Sequence, residues 1–193
     1  NTVVLFLSLL ILFIVFNGLV YSDYDPFSNW HMRHDIPQGN TYRDIVYGNG
    51  QFVTVGENGT VITSPDGENW TRIDSGITHD LTAITYGNSL YAAAGSEMSV
   101  YTSPDGIHWT QRYTNPGSPV EISEITFGNS TFVAVGNWAT PEVLTSTGGI
   151  NWTKNDTGIG TGFSCISYGN SIYCAANESG LTSTSPDGIH WSL

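Results

Sequence analysis

Basic residues are few in this chain of 193 residues: five Lys and Arg stand against seventeen Asp and Glu, a net charge of −12. That balance argues against a nucleic-acid backbone or an anionic membrane surface as a partner. Cysteine occurs only at Cys165 and Cys174, and no Cys or His falls at zinc-ligand spacing. Beyond residue 22 the helix formers Ala, Leu, Glu, Lys and Arg are sparse, which argues against long helices there. From Asn1 to Ser22 charge is absent altogether, and this is where the one long apolar run lies. No cofactor is expected.

What is present is Gly, Asn, Ser and Thr between short β-branched and aromatic runs, the composition of an all-β fold rich in turns. "CISYGNSIYC" is one such hairpin. A turn on Gly169-Asn170 sets Cys165 directly opposite Cys174, within reach of a disulfide and so suited to an oxidising compartment.

The runs repeat. "YGNGQFVTVG" at 47–56 returns at 86–95, 127–136 and 168–177, and "TSPDGENWT" at 63–71 returns at 102–110, 145–153 and 184–192. Trp70, Trp109, Trp152 and Trp191 are spaced 39, 43 and 39 apart. Each copy reads as four short antiparallel strands, the size of a propeller blade. A single blade cannot bury both faces, so copies must stack or close into a ring. The expectation is a mostly β fold: a small four-repeat β-propeller preceded by one long hydrophobic α-helix.

The Ser-Pro-Asp-Gly-x-x-Trp element resembles the Asp-box of sialidase-like, BNR-repeat propellers. The resemblance implies that Asp66, Asp105 and Asp187 brace a turn and that Trp70, Trp109, Trp152 and Trp191 pack between blades. The third copy departs from it, with Gly148 at the aspartate position. Glycosidases of that family use three convergent arginines, a Tyr–Glu pair and an acid. Here Arg33, Arg72 and Arg112 follow successive repeat tryptophans. They therefore point to equivalent places on successive blades and not to one pocket, and no catalytic residue is assigned. His31 and His34, three apart, would lie on opposite faces of a strand and cannot chelate together. His108 and His190 share the repeat position of Asn69 and Asn151, which marks a turn. No metal site is expected.

Six Asn-x-Ser/Thr sequons, at Asn58, Asn69, Asn129, Asn151, Asn155 and Asn177, all fall in expected turns and are candidate N-glycan carriers. Before the first copy, the segment around Trp30 reads as a stray strand. It is expected to pair with residues 182–185 or the "HWSL" end, in its own propeller or in a neighbour's.

"LFLSLLILFIVF" at 5–16 opens a chain that begins on Asn, without a basic flank. It resembles the retained N-terminal helix of a mature type IV pilin, of the archaeal type because Leu5 stands where bacterial pilins have glutamate. The resemblance implies a filament core built through Val4, Leu5, Leu9, Leu12, Phe13 and Phe16. The expected layout is a polymerisation helix at 1–22, a linker with the stray strand at 23–40, and the propeller at 41–193. The expected function is structural: a homo-oligomeric extracellular filament at the cell surface, glycosylated, with membrane contact only before assembly. The alternative is a membrane-anchored surface propeller that binds a glycan or protein.

Overall fold

Each aromatic-Gly-Asn step of the repeat folds one strand back along the next. The computed structural model describes residues 39–136 and 142–193, which lie in one unit, Ile36–Leu193. The first sheet holds β1 (Tyr42–Gly48), β2 (Gln51–Gly56), β3 (Val61–Ser64) and β4 (Thr71–Ile73). The second holds β5 (Leu81–Gly87), β6 (Leu90–Gly95), β7 (Val100–Ser103) and β8 (Thr110–Tyr113). The third holds β9 (Glu124–Gly128), β10 (Thr131–Val135), β11 (Glu142–Ser146) and β12 (Thr153–Asp156). In the fourth, β13 (Cys165–Gly169), β14 (Ile172–Ala176) and β15 (Thr182–Ser185) are followed by a single bridge from Thr184 to Ser192. All pairings are antiparallel and follow chain order, so each repeat is one blade.

The hairpin turns sit one residue later than the sequence reading placed them. In the fourth blade Gly169 pairs with Ile172, leaving Asn170 (φ 49) and Ser171 (φ 62) as the turn. Two positive φ values define the turn whose twist matches the strands, and Asn tolerates that region best after Gly. The register therefore sets Cys165 opposite Ala176 and Cys174 opposite Ser167. The expected Cys165–Cys174 disulfide is corrected accordingly: the two residues are diagonal neighbours, and both thiols are free.

The fold class also needs correction. Among the described residues no helix reaches seven residues: the helical pieces are Glu57–Gly59 and Ser96–Met98, three residues each. There Gly, Asn, Ser and Thr interrupt the apolar runs too soon for an α-helix to propagate. Over the described residues the fold is thus mostly β, four antiparallel sheets with no long helix. The expected polymerisation residues Val4, Leu5, Leu9, Leu12, Phe13 and Phe16, the Trp30 strand, and Arg33, His31 and His34 lie outside the described residues.

The core lies between blades. Each blade's leading face packs on the trailing face of the one before, and first strands meet as β1 with β5, β5 with β9, and β9 with β13. Between the first two blades Val53, Val55 and Val61 meet Ile84, Tyr91, Ala93 and Tyr101. The next junction sets Ala92, Ala94 and Val100 against Ile125, Phe132, Ala134 and Leu144. The last sets Val133, Val135 and Val143 against Ile166, Tyr173 and Ala175. A strand buried on both sides needs apolar residues at consecutive positions, which is why "FVTV" and "YAAA" do not alternate strictly with polar residues.

Candidate functional site

Three features of the blades bear on function: the aspartate turns, the acidic residues on the first strands, and the two faces at the ends of the array.

The turns are closed constellations. Asp66 Oδ1 accepts N–H bonds from Glu68 (2.8 Å) and Asn69 (2.7 Å) and the Ser64 hydroxyl, while Oδ2 accepts the Asn69 side-chain amide. Asp105 and Asp187 repeat this, with His108 and His190 in the place of Asn69, each imidazole Nδ1 2.7 Å from the carboxylate. The backbone and side-chain bonds from Asn69 hold the Asp66 carboxyl well below the usual range. For Asp105 and Asp187 burial acts the other way, but the histidine and N–H bonds outweigh it and the carboxyls are again lowered. In every copy the indole N–H of the tryptophan donates to the turn glycine carbonyl at 3.1 Å. The third copy does this without an aspartate, through the Ser146 hydroxyl on Gly149 N–H. These carboxylates spend their lone pairs on their own turn, the arrangement of a scaffold.

On the first strands, Asp44 and Glu124 occupy the same repeat position in blades one and three. Asp44 accepts the N–H of Ile84 on the next blade, at 2.7 Å, and that of Ile45. Burial raises the Asp44 carboxyl against these two bonds, and burial followed by the charge of Asp44 raises Glu124. A group raised by folding stabilises fully below the ordinary carboxylate range, and that stability is lost as pH rises through the raised value. Glu124→Gln is neutral at every pH. It should therefore raise the Tm at pH 7 by an amount that shrinks to nothing near pH 4, as thermal melts across that range would show.

The array ends differ from the junctions. At each junction a glycine lies under the aromatic of the next blade: a Cβ at Gly48, Gly87 or Gly128 would come within 2.0–2.2 Å of the ring of Tyr86, Phe127 or Tyr168. At the fourth repeat, a Cβ at Gly169 meets none of the described residues within 4 Å. The matching ring at the other end, Tyr47, is 59% exposed. Two residues before it Ile45 is 52% exposed, whereas Ile84, Ile125 and Ile166 are buried at 3–6%. Phe52 is half-buried where Tyr91, Phe132 and Tyr173 are fully buried. Tyr47, Phe52 and Trp70 form a continuous aromatic row, with centroids 4.8 and 6.4 Å apart. Beside it lies a groove of about 370 Å³ lined by residues that include Tyr42, Arg43, Ile45 and Trp70.

The DUF6242 beta propeller domain matches residues 16–122, more than half of the chain. The chain belongs to this family. Among solved structures, the computationally designed Ika4 protein is similar, with a TM-score of 0.61 at 12% identity, over 80% of this chain and 96% of that one. YCF48 from Cyanidioschyzon merolae aligns with a TM-score of 0.60 at 19% identity over 82% of this chain, which spans 57% of YCF48. The GH74 enzyme of Niastella koreensis aligns with a TM-score of 0.54 at 17% identity over 79% of this chain and 24% of that one. At such identities the likeness shows the propeller fold alone. Among curated proteins no relative matches.

In this DUF6242 propeller the residues singled out from sequence fall in separate places. Arg72 and Arg112 lie on β4 and β8, outer strands of neighbouring blades, and Arg112 bonds the Thr102 hydroxyl. The sequons at Asn58, Asn69, Asn129 and Asn151 are exposed, whereas Asn155 and Asn177 are half-buried. Asn155 donates to Thr145, and Asn177 accepts the N–H groups of Ser179 and Leu181. Trp109, Trp152 and Trp191 each pack against a junction cluster. Among the described residues no group of His, Cys, Asp and Glu could hold a metal ion, and no helix is long and apolar enough to cross a membrane. The residues that sequence reading missed are Ile45, Tyr47, Gly169 and the Asp44–Glu124 pair. The signal was present in "DIVYG", "AITYG", "EITFG" and "CISYG", where Ile, aromatic and Gly recur at fixed offsets.

Proposed function

We propose that the chain is a non-catalytic propeller that works by contact, a structural and binding module displayed at the cell exterior. The exposed edge of the first blade carries this reading: among the described residues Ile45 and Tyr47 lie open, whereas Ile84, Ile125 and Ile166 at the position of Ile45 are buried, and such apolar patches mark interaction sites. Display outside the cell is supported by the uncharged apolar stretch at 1–22 and by sequons on exposed turns. In its finer form the reading is a glycosylated subunit of an extracellular filament, held through the apolar stretch. A surface-anchored propeller that binds a glycan or protein is the alternative.

Purified protein should release no sugar from sialosides or aryl glycosides. Turnover that disappears with a single carboxylate substitution would overturn the reading. Negative-stain images separate the two forms. Filaments lost on Leu9→Lys support the subunit, and single particles in the wild type support the anchored propeller.

A further inference from the structure

We infer that Asn151, on the β11–β12 turn of the third blade, is an acceptor for an N-linked glycan, and that Asn69, in the same tripeptide at the same repeat position, is not. This deepens the proposed display at the cell exterior, on which it rests, by naming where the sugar is carried. Both sequons read Asn-Trp-Thr, so their own residues cannot tell them apart. The difference lies three residues earlier, where blade one has Asp66 and blade three has Gly148.

Glycan transfer consumes the amide nitrogen. Nδ2 forms a bond to the anomeric carbon of a sugar carried on a polyprenyl diphosphate, and the bond from that carbon to the diphosphate oxygen breaks. The lipid diphosphate leaves, and one Nδ2 hydrogen departs as a proton. In blade one that nitrogen is already engaged. Asn69 Nδ2 donates to Asp66 Oδ2 at 2.8 Å, while the Asn69 backbone N–H donates to Oδ1 at 2.7 Å. Hydrogen bonds to a carboxylate are among the stronger kinds, and these close the turn. Blades two and four have His108 and His190 at this position, and no sequon. In blade three glycine removes the carboxylate. Among the described residues the Asn151 side-chain amide and the Thr153 hydroxyl have no hydrogen-bond partner, and both residues are exposed. The turn survives the loss, because the Ser146 hydroxyl still accepts the Gly149 N–H at 2.9 Å and the Trp152 indole still donates to the Gly149 carbonyl at 3.1 Å.

The other sequons lack this combination. Thr60, the third residue of the Asn58 sequon, is buried and accepts the Asn40 amide. Asn155 donates to the Thr145 hydroxyl and the Thr153 carbonyl, and its Thr157 is buried. Asn177 is half-buried, and its Oδ1 accepts the Ser179 hydroxyl and the N–H groups of Ser179 and Leu181. In the Asn129 sequon, Thr131 is a half-buried residue of β10.

Transfer to the folded full chain tests this. Protein made in a host without N-glycosylation is held in mild detergent and given a purified oligosaccharyltransferase with a polyprenyl-diphosphate-linked oligosaccharide. Occupancy is read site by site from peptide masses. Synthetic peptides of residues 63–73 and 145–155 supply the intrinsic ratio of the two sequons, by which the ratio in the folded chain is divided. Asn151 should then fill about tenfold faster than Asn69, the factor that one hydrogen bond to a charged group is worth. Gly148→Asp should bring Asn151 down to the level of Asn69. The substitution is sterically free, since a Cβ at Gly148 meets none of the described residues within 4 Å. Asp66→Gly should bring Asn69 up to the level of Asn151, with thermal melts to check that both variants fold. Should Asp66→Gly unfold, Gly148→Asp decides alone. Equal rates at the two asparagines of the folded wild type overturn the inference. So does an absence of transfer to Asn151, or a folded Gly148→Asp chain whose Asn151 fills as before. Transfer to purified protein needs neither filaments nor a bound partner, so these outcomes stand apart from those of the negative-stain images.

Discussion

Gly128→Ala should destabilise the propeller severely, while Gly169→Ala, the same change at the same repeat position, should leave the monomer's Tm nearly untouched. The added methyl at Gly128 would sit 2.0 Å from Cγ of Tyr168, and the backbone on either side is held in the sheet. Overpacking of this kind costs about 1–3 kcal/mol, and a clash this deep belongs at or above the upper end. At Gly169 the methyl meets none of the described residues within 4 Å, and an open surface position changes stability by less than about 0.5 kcal/mol. The comparison should be made at a dilution where the chain is monomeric, because partner binding would itself shift the Tm. Equal losses at the two glycines would mean that Gly169 is covered in solution by its own chain.

Tyr173→Ala should cost about as much as any single change in the molecule, about 3–5 kcal/mol, or a drop in Tm on the order of 10 °C. The ring is fully buried between the third and fourth blades and packs on Tyr168 at 4.7 Å. Its hydroxyl reaches across the junction to the carbonyls of Gly128 and Thr131, the latter at 3.0 Å. Tyr173→Phe separates these contributions. It keeps the packing and leaves the carbonyls without their donor, a loss of about 1–1.5 kcal/mol. Burial, with a smaller push from Tyr168, raises the Tyr173 phenol to about 12. A phenol raised in this way stabilises fully below its ordinary value near 10, and that stability is lost as pH rises through about 12. Tyr173→Phe should therefore weaken the alkaline decline in stability that the wild type shows, as denaturant titrations between pH 9 and 12 would reveal.

Much of the fold was legible because the repeat is written in residues with narrow conformational roles. Asn at a positive φ, Gly under a ring and Ser-Asp at a turn each admit few geometries, so four copies of one pattern identify four blades. The errors were of register and of context. "YGNS" allows a turn on Gly-Asn or on Asn-Ser, and only the requirement that the glycine lie extended beneath the next ring selects the second. That one-residue offset moved Cys174 from Cys165 to Ser167. The aspartates could be read as turn braces because their spacing to the N–H groups they accept is local. Asp44 and Glu124 could not, since they come together only when blades one and three do. The open faces were the least legible part. Ile45 and Ile84 sit in the same local motif, and their difference in exposure arises from the presence or absence of a neighbouring blade.

The single bridge that ends the fourth blade has a consequence for how the array comes apart. Stability in a linear stack is a sum of unit and nearest-neighbour terms, so opening starts where a unit has one neighbour and few bonds of its own. Among the described residues blade four answers both descriptions: residues 191–193 add only the two backbone bonds between Thr184 and Ser192, and a Cβ at Gly169 meets no described atom within 4 Å. Amide exchange should accordingly be fastest along residues 182–193 and slowest on β6 and β10, flanked by blades on both sides.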